Sequence, residues 1–279
     1  MPTARRTRTR RFPDGVSTRA VHATCALALV ACTGGRVGPD TLASVSDAAS
    51  RVDATPSPPV VPVAPVASAS AAALPLSLDV PRVSAPFAPT GHFRVQIWAN
   101  AVNTHTLLDE SGHGAVPVNE ARFLWGNGQL YVFFYAGDLD LEARTTKHDG
   151  PVWTDDSIAL VFGDADGAKR IIQISMTGVV ADGICPADAA GLSDARCDRS
   201  WESHVRVGTD SDGTLNKIGD NDEEWAVEAA VPLASLNIKP AGGVRIPFSV
   251  KRCEIAHDGP RACGAWGDRP WGSGVLVLE

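Results

Sequence analysis

From residue 91 to the end of the chain, apolar and polar positions alternate with a period of two, and no stretch sustains the apolar spacing of an amphipathic helix. A chain written this way must satisfy its backbone between strands. The alternation predicts strands at 93–98, 120–125, 130–136, 157–162, 169–176, 203–208, 225–230, 244–252 and 274–278. Gly-Asn-Gly at 126–128, Asp-Ala-Asp-Gly at 164–167 and Asp-Ser-Asp-Gly at 210–213 separate them with residues that suit hairpin turns. Pro232 to Leu236 reads as a single helical turn. Short strands at this density, over about 190 residues, predict an all-β fold, an antiparallel β-sandwich.

What precedes residue 91 cannot join such a core. Residues 36–90 hold ten of the 20 prolines among Ala, Ser and Val. That composition favours extended polyproline II and reads as a semi-stiff tether. Further upstream, Arg5, Arg6, Arg8, Arg10, Arg11 and Arg19 stand against one acid, Asp14, and the apolar stretch from Ala23 to Ala31 follows. This is the pattern of a secretory signal peptide, too short to span a bilayer, which takes roughly 20 apolar residues. The stretch ends Leu29-Val30-Ala31-Cys32 and resembles the bacterial lipobox, with Cys32 as the lipidated residue. Thr33 after it resembles the outer-membrane sorting pattern. The expected organisation is therefore a lipoprotein signal peptide at 1–31, a lipid-anchored Pro/Ala/Ser-rich linker at 32–90 and a folded domain at 91–279, exported to the outer membrane.

The folded part carries 16 Lys+Arg against 27 Asp+Glu, a balance of −11. Nucleic acid is excluded as a partner, because phosphate neutralisation needs a basic face. Cys185, Cys197, Cys253 and Cys263 form an even set in an exported chain, which predicts two disulfides. Pairing nearest in sequence, Cys185 with Cys197 and Cys253 with Cys263, would staple one loop each. Two other connectivities exist, and a metal site is the competing use.

Several fragments occur in an order that resembles the family 9 carbohydrate-binding module and its DOMON-like relatives. They are LYVFFYAGDLDL (130–141), VWTDDSIALVF (152–162), IIQISMTGVVAD (171–182), EWAVEAAVPLASL (224–236), VKRCEI (250–255), GAW (264–266) and WGSGVLVL (271–278). The resemblance spans roughly 120–279. It implies a sandwich whose tryptophans at 153 and 266 clamp a terminal sugar. Gln173 and Arg252 are candidate hydrogen-bonding partners, with a solvent-facing strand residue and a surface ion pair as their alternative roles. Stacking of indole on the apolar face of a pyranose is the physical basis. Packing is the alternative role for both tryptophans, and Trp125 and Trp225 are expected in the core. The family usually places a carboxylate acceptor where this chain has Ala159.

Asp138 and Asp140 follow one strand and Asp155 and Asp156 precede another, so these four carboxylates would make a structural calcium site if they converge. Turn chemistry alone also explains them. No other cofactor is expected. The chain has no H-E-x-x-H helix, G-x-S-x-G elbow, P-loop or Rossmann fingerprint, and Glu223, Glu224 and Glu228 read as structural, so an enzyme is not expected. The leading reading is a non-catalytic sugar-binding module tethered at a membrane through its lipid. Two others compete. One is a structural or docking lipoprotein with an envelope protein partner. The other is a haem b domain using Met176 with His204 or His257.

Overall fold

The computed structural model describes residues 77–109, 113–114, 118–163, 167–255, 262–267 and 274–279. The expected signal peptide, Cys32, the linker up to residue 76, the turn residues 164–166 and His257 lie outside the described residues.

The fold is an antiparallel β-sandwich. Its strands are β1 (Ser77–Val80), β2 (Val102–Asn103), β3 (Asn119–Gly126), β4 (Gln129–Gly137), β5 (Ser157–Gly163), β6 (Lys169–Ser175), β7 (Val180–Cys185), β8 (Arg206–Asp212), β9 (Glu224–Pro232), β10 (Arg245–Glu254), β11 (Ala262–Trp266) and β12 (Val275–Leu278). A seven-stranded sheet runs β1-β12-β10-β5-β6-β7, with β11 also paired to β10, and a five-stranded sheet runs β2-β3-β4-β9-β8. Every pairing is antiparallel except that of β1 with β12, which is parallel. The Gly-Asn-Gly turn closes β3 onto β4 with positive φ at Gly126, Asn127 and Gly128, a conformation that asparagine tolerates best among residues with a side chain.

Period-two alternation explains the core. Ile158, Leu160 and Phe162 of β5, Ile172 and Ile174 of β6 and Phe248 and Val250 of β10 face Phe123 and Trp125 of β3, Val132 and Phe134 of β4 and Trp225 and Val227 of β9 in one buried cluster. Each such side chain stabilises by roughly 1.5–3 kcal/mol on burial. A slip of one residue would turn a whole set to the outer face, so the pattern also sets the register.

The central strand β4 departs from alternation: Leu130, Tyr131, Val132, Phe133 and Phe134 are all buried. The reason is a third layer. Val83, Phe87, Ile97 and Trp98 pack with Leu124, Tyr131 and Phe133 on the outer face of the five-stranded sheet. Glu228 on β9, itself 1% exposed, fastens this layer. Its carboxylate accepts from Trp98 Nε1 at 2.7 Å, Arg94 Nη2 at 2.8 Å, Thr90 Oγ1 at 3.1 Å and the Thr90 and Gly91 amides. Gly208, opposite Glu228 in the register, makes this approach possible, since a Cβ there would lie 2.5 Å from the Thr90 backbone.

Two expectations change here. Residues 77–90, read as linker, belong to the fold: β1 pairs with β12, and Pro81 and Val83 exchange backbone hydrogen bonds with Trp125. Proline density hid them, although a Pro that accepts without donating fits an edge. Residues 93–98, read as a strand, contain instead a one-turn helix, α1 (Val95–Trp98). Arg94 and Trp98 both bond Glu228, and a helical turn brings residues four apart together where a strand would separate them by about 13 Å. The strand expected at 203–208 runs Arg206–Asp212, so Asp210 and Asp212 are strand residues and only Gly213 turns. Strands β1, β2, β7 and β11 were not expected from the alternation.

Candidate functional site

The outer face of the seven-stranded sheet is built by the other half of each alternation. Antiparallel register places Lys251 of β10, Ala159 of β5 and Gln173 of β6 in one row across three neighbouring strands. Ser157, Val161, Lys169 and Ile171 extend this floor along the strands. Above it lies a concavity of about 210 Å³ lined also by Trp153, Ala189 to Ser193, Cys253 and Cys263. Pockets that engulf drug-sized ligands run to roughly 300–1,000 Å³, so this one has room for a single small ring or a chain end.

One disulfide lines the groove and the other closes the loop that walls it. Cys185 is bonded to Cys197 and Cys253 to Cys263, as nearest-neighbour pairing predicts. The first closes the loop whose Ala189 and Leu192 pack with Val152, Val161, Ile171 and Ala181 in a second buried cluster, so this wall rests on its own small core. The second joins residues directly opposed on β10 and β11.

Trp153 stands in a 3-10 turn, Val152–Thr154, that leads into β5. It is half-buried against the second cluster, and the Arg199 guanidinium lies 5.4 Å from the centre of its ring. Arg199 is in turn held by its bond to the Asp149 carbonyl at 2.9 Å. On the floor, Gln173 Nε2 donates to Ser157 Oγ at 3.0 Å, which orients both polar groups. Lys169 is 9% exposed and its ammonium reaches the Ala189 carbonyl at 3.4 Å. Burial draws its pKa down from the usual lysine value, and the nearby Asp188 opposes that shift.

Trp266 and Arg252 are not in this groove. Trp266 is wholly buried in the main core, its ring 6.4 Å from that of Phe248, and a Cβ on Gly274 would collide with it. The clamp of two tryptophans is therefore not formed. Parity explains the placement: Trp266 lies opposite Val250, whose side chain points between the sheets. Arg252 likewise points inward. Its Nη2 donates to Asp138 at 2.5 Å and its Nη1 to Glu254 at 2.8 Å, and its guanidinium lies 5.9 Å from the Trp225 ring centre, whose Nε1 donates to the same Asp138 oxygen. Arg252 is a strut between the two sheets.

The four aspartates do not assemble into a metal centre. Asp155 accepts from the Arg144 and Thr145 amides and Ser175 Oγ, and Asp156 from the Glu142 and Ile255 amides. Asp138 serves Arg252, Trp225 and the Asp140 amide. They hold the loop into β5 against the ends of neighbouring strands. Burial, and the negative charge of Asp138, push the Asp156 carboxyl up to about 8. Among the described residues, the metal-ligating side chains that meet are His148, Asp182 and Glu202. There Asp182 Oδ2 is held by the Ser203 amide and hydroxyl, and His148 bonds Glu202 at 3.1 Å. Met176 packs in the main core while His204 is exposed, so these two do not share a pocket.

Lys169, Lys251 and Ser157 were missed by sequence reasoning. Counting outward by two from Ala159 and Gln173 would have found Ser157 and Lys169, and Lys251 follows once Val250 is taken as inward.

No family model matches the chain, and no curated protein sequence does. Solved structures share the fold. A protein of Bacteroides uniformis ATCC 8492, provisionally described as carbohydrate-binding, superposes with a TM-score of 0.54 at 13% identity, covering 73% of this chain and 99% of its own. A family 9 carbohydrate-binding module of Caldicellulosiruptor kristjanssonii, solved with cellotriose, gives a TM-score of 0.51 at 16% identity over 73% of this chain and 93% of its own. The same module with glucose gives 0.51 at 16% identity, covering 73% and 95%. At such identities the likeness is one of fold.

Proposed function

We propose that this protein is a non-catalytic carbohydrate-binding domain carried on an exported lipoprotein, and that it holds one sugar residue in the groove on the outer face of the seven-stranded sheet. The observation that carries the reading is the groove itself: an indole at its wall, oriented amide and hydroxyl groups on its floor, and room for one ring. Trp153 offers the apolar surface on which a pyranose stacks, and Gln173 and Ser157 offer hydrogen bonds to its hydroxyls. The shared fold supports the reading, since one module that has it was solved with cellotriose and with glucose. Lipidation at Cys32 would keep the domain at a membrane surface, and the disulfides suit an oxidising compartment.

The test is a titration of the purified full-length protein against a panel of neutral and acidic oligosaccharides. At least one saccharide binds, and Trp153→Ala weakens it by about tenfold or more, the loss of one stacked contact. No saccharide bound, or an affinity indifferent to Trp153→Ala, would overturn the reading.

A further inference from the structure

The charged side chains that line the groove are basic, although the molecule is acidic. The chain has a net charge of −7, and acids outnumber bases throughout the folded region. Yet the side chains lining the groove include two lysines, Lys169 and Lys251, and no aspartate or glutamate. Lys251 lies directly across from Ala159 on one flanking strand, and Lys169 across from Gly163 on the other, so the two approach the floor from different ends.

Chemistry gives this arrangement a direction. A neutral sugar presents hydroxyls that both donate and accept, and a site built for them needs strong acceptors as well as donors. Here the floor position between Lys251 and Gln173 is occupied by Ala159, which offers neither. The ammonium groups donate only. A ligand that brings its own acceptors in anionic form matches what the walls supply. Lys169 is nine-tenths buried, and a carboxylate reaching it makes a charge-assisted hydrogen bond in a site partly withdrawn from water, where such bonds are stronger than at the surface.

Resting on the carbohydrate reading above, we infer that the groove is selective for an acidic saccharide, a uronic acid residue whose ring stacks on Trp153 and whose carboxylate is met by Lys169, with Lys251 adding positive charge from the other end of the floor.

The experiment compares two trisaccharides that differ only at C6: cellotriose and its fully oxidised counterpart, β-1,4-linked triglucuronate, each titrated into the full-length protein. The triglucuronate binds at least about tenfold more tightly, and its affinity falls with added salt while that of cellotriose does not. Lys169→Gln and Lys251→Gln each shrink the preference for triglucuronate over cellotriose by about fivefold or more, while Lys169→Arg retains it. Equal or tighter binding of cellotriose overturns the inference and leaves the carbohydrate reading standing. A preference for triglucuronate that both glutamine variants retain also overturns it, because the charge then acts from elsewhere. If neither trisaccharide nor any member of the oligosaccharide panel binds, the carbohydrate reading fails and this inference with it. Melting curves of the lysine variants accompany the titrations, so that a lost affinity is read only from folded protein.

Discussion

Replacing Arg252 by methionine separates a strut from a ligand contact. Arg252 is 2% exposed and pairs with Asp138, which is fully buried, and with Glu254. Methionine fills much of the stem's volume but leaves Asp138, Glu254 and the nearby Asp156 without their cation. Removing one partner of a buried pair costs about 3–5 kcal/mol. Against this, Arg252 Nε has no hydrogen-bond partner, and removing that buried atom returns about 1 kcal/mol. A net loss of about 3 kcal/mol, at roughly 2–4 °C per kcal/mol for a domain of this size, lowers Tm by about 6–12 °C. The effect depends on pH. Burial raises the carboxyls of Asp156 and Glu254, and Arg252 holds both down. Without the arginine their folded-state values climb further, so the fold takes up protons that the unfolded chain releases. The penalty is thus smaller at the acid end of the range and grows through neutral pH. Thermal melts of the two proteins from pH 5 to pH 8, with a sugar titration at each end, measure it. A variant that melts with the parent at pH 8 but no longer binds saccharide would refute the strut and return Arg252 to the binding site.

Asp156→Asn tests the proton itself. With a folded-state pKa of about 8 against an ordinary value near 4, the parent's stability from this group is full below about pH 4 and is lost as pH rises towards 8. The asparagine variant loses that slope, so the gap between the two melting temperatures closes or inverts as the pH is raised. Glu228→Gln removes the charge that fastens the third layer and costs about 1.5–3 kcal/mol, the range for hydrogen bonds to a charged group. Hydrogen exchange should rise first across residues 81–101. Here the sign is opposite: burial opposes ionisation of Glu228, but donors from Arg94, Trp98 and Thr90 outweigh it and its pKa is lowered. Its contribution is present above the ordinary glutamate range and lost as pH falls through the folded value, so parent and variant converge in acid.

The central strands were legible because alternation there records two environments, core and outer face, and the same parity delivers the floor of the groove. Ala159 and Gln173 were seen, and Lys251 lay one residue from the arginine named in its place. Alternation fails where a strand is covered on both sides, as in β4, and where a segment is held by one polar anchor in place of an apolar face. Glu228 gathers Thr90, from the end of the stretch read as linker, with Gly91, Arg94 and Trp98, the last two from a segment read as a strand. Trp266 was misassigned for a related reason: a tryptophan in a glycine-rich stretch resembles a ligand contact, but its pairing with Val250 turns it inward, and pairing is not written locally. The loop from Ala189 to Ser193 is shaped by a disulfide and a small satellite core, neither of which leaves a periodic trace.

The parallel pair of β1 and β12 gives the domain a mechanical axis. Force drawn through the segment upstream of Ser77 and resisted at Leu278 acts along the two strands in opposite directions. The four residue pairs from Ser77 with Val275 to Val80 with Leu278 then bear the load together in shear, where an antiparallel partner would have been peeled open one bond at a time. If the domain is anchored through its N-terminal side, as proposed above, load entering there meets this joint, which lies on the opposite edge of β10 from β5 and β6.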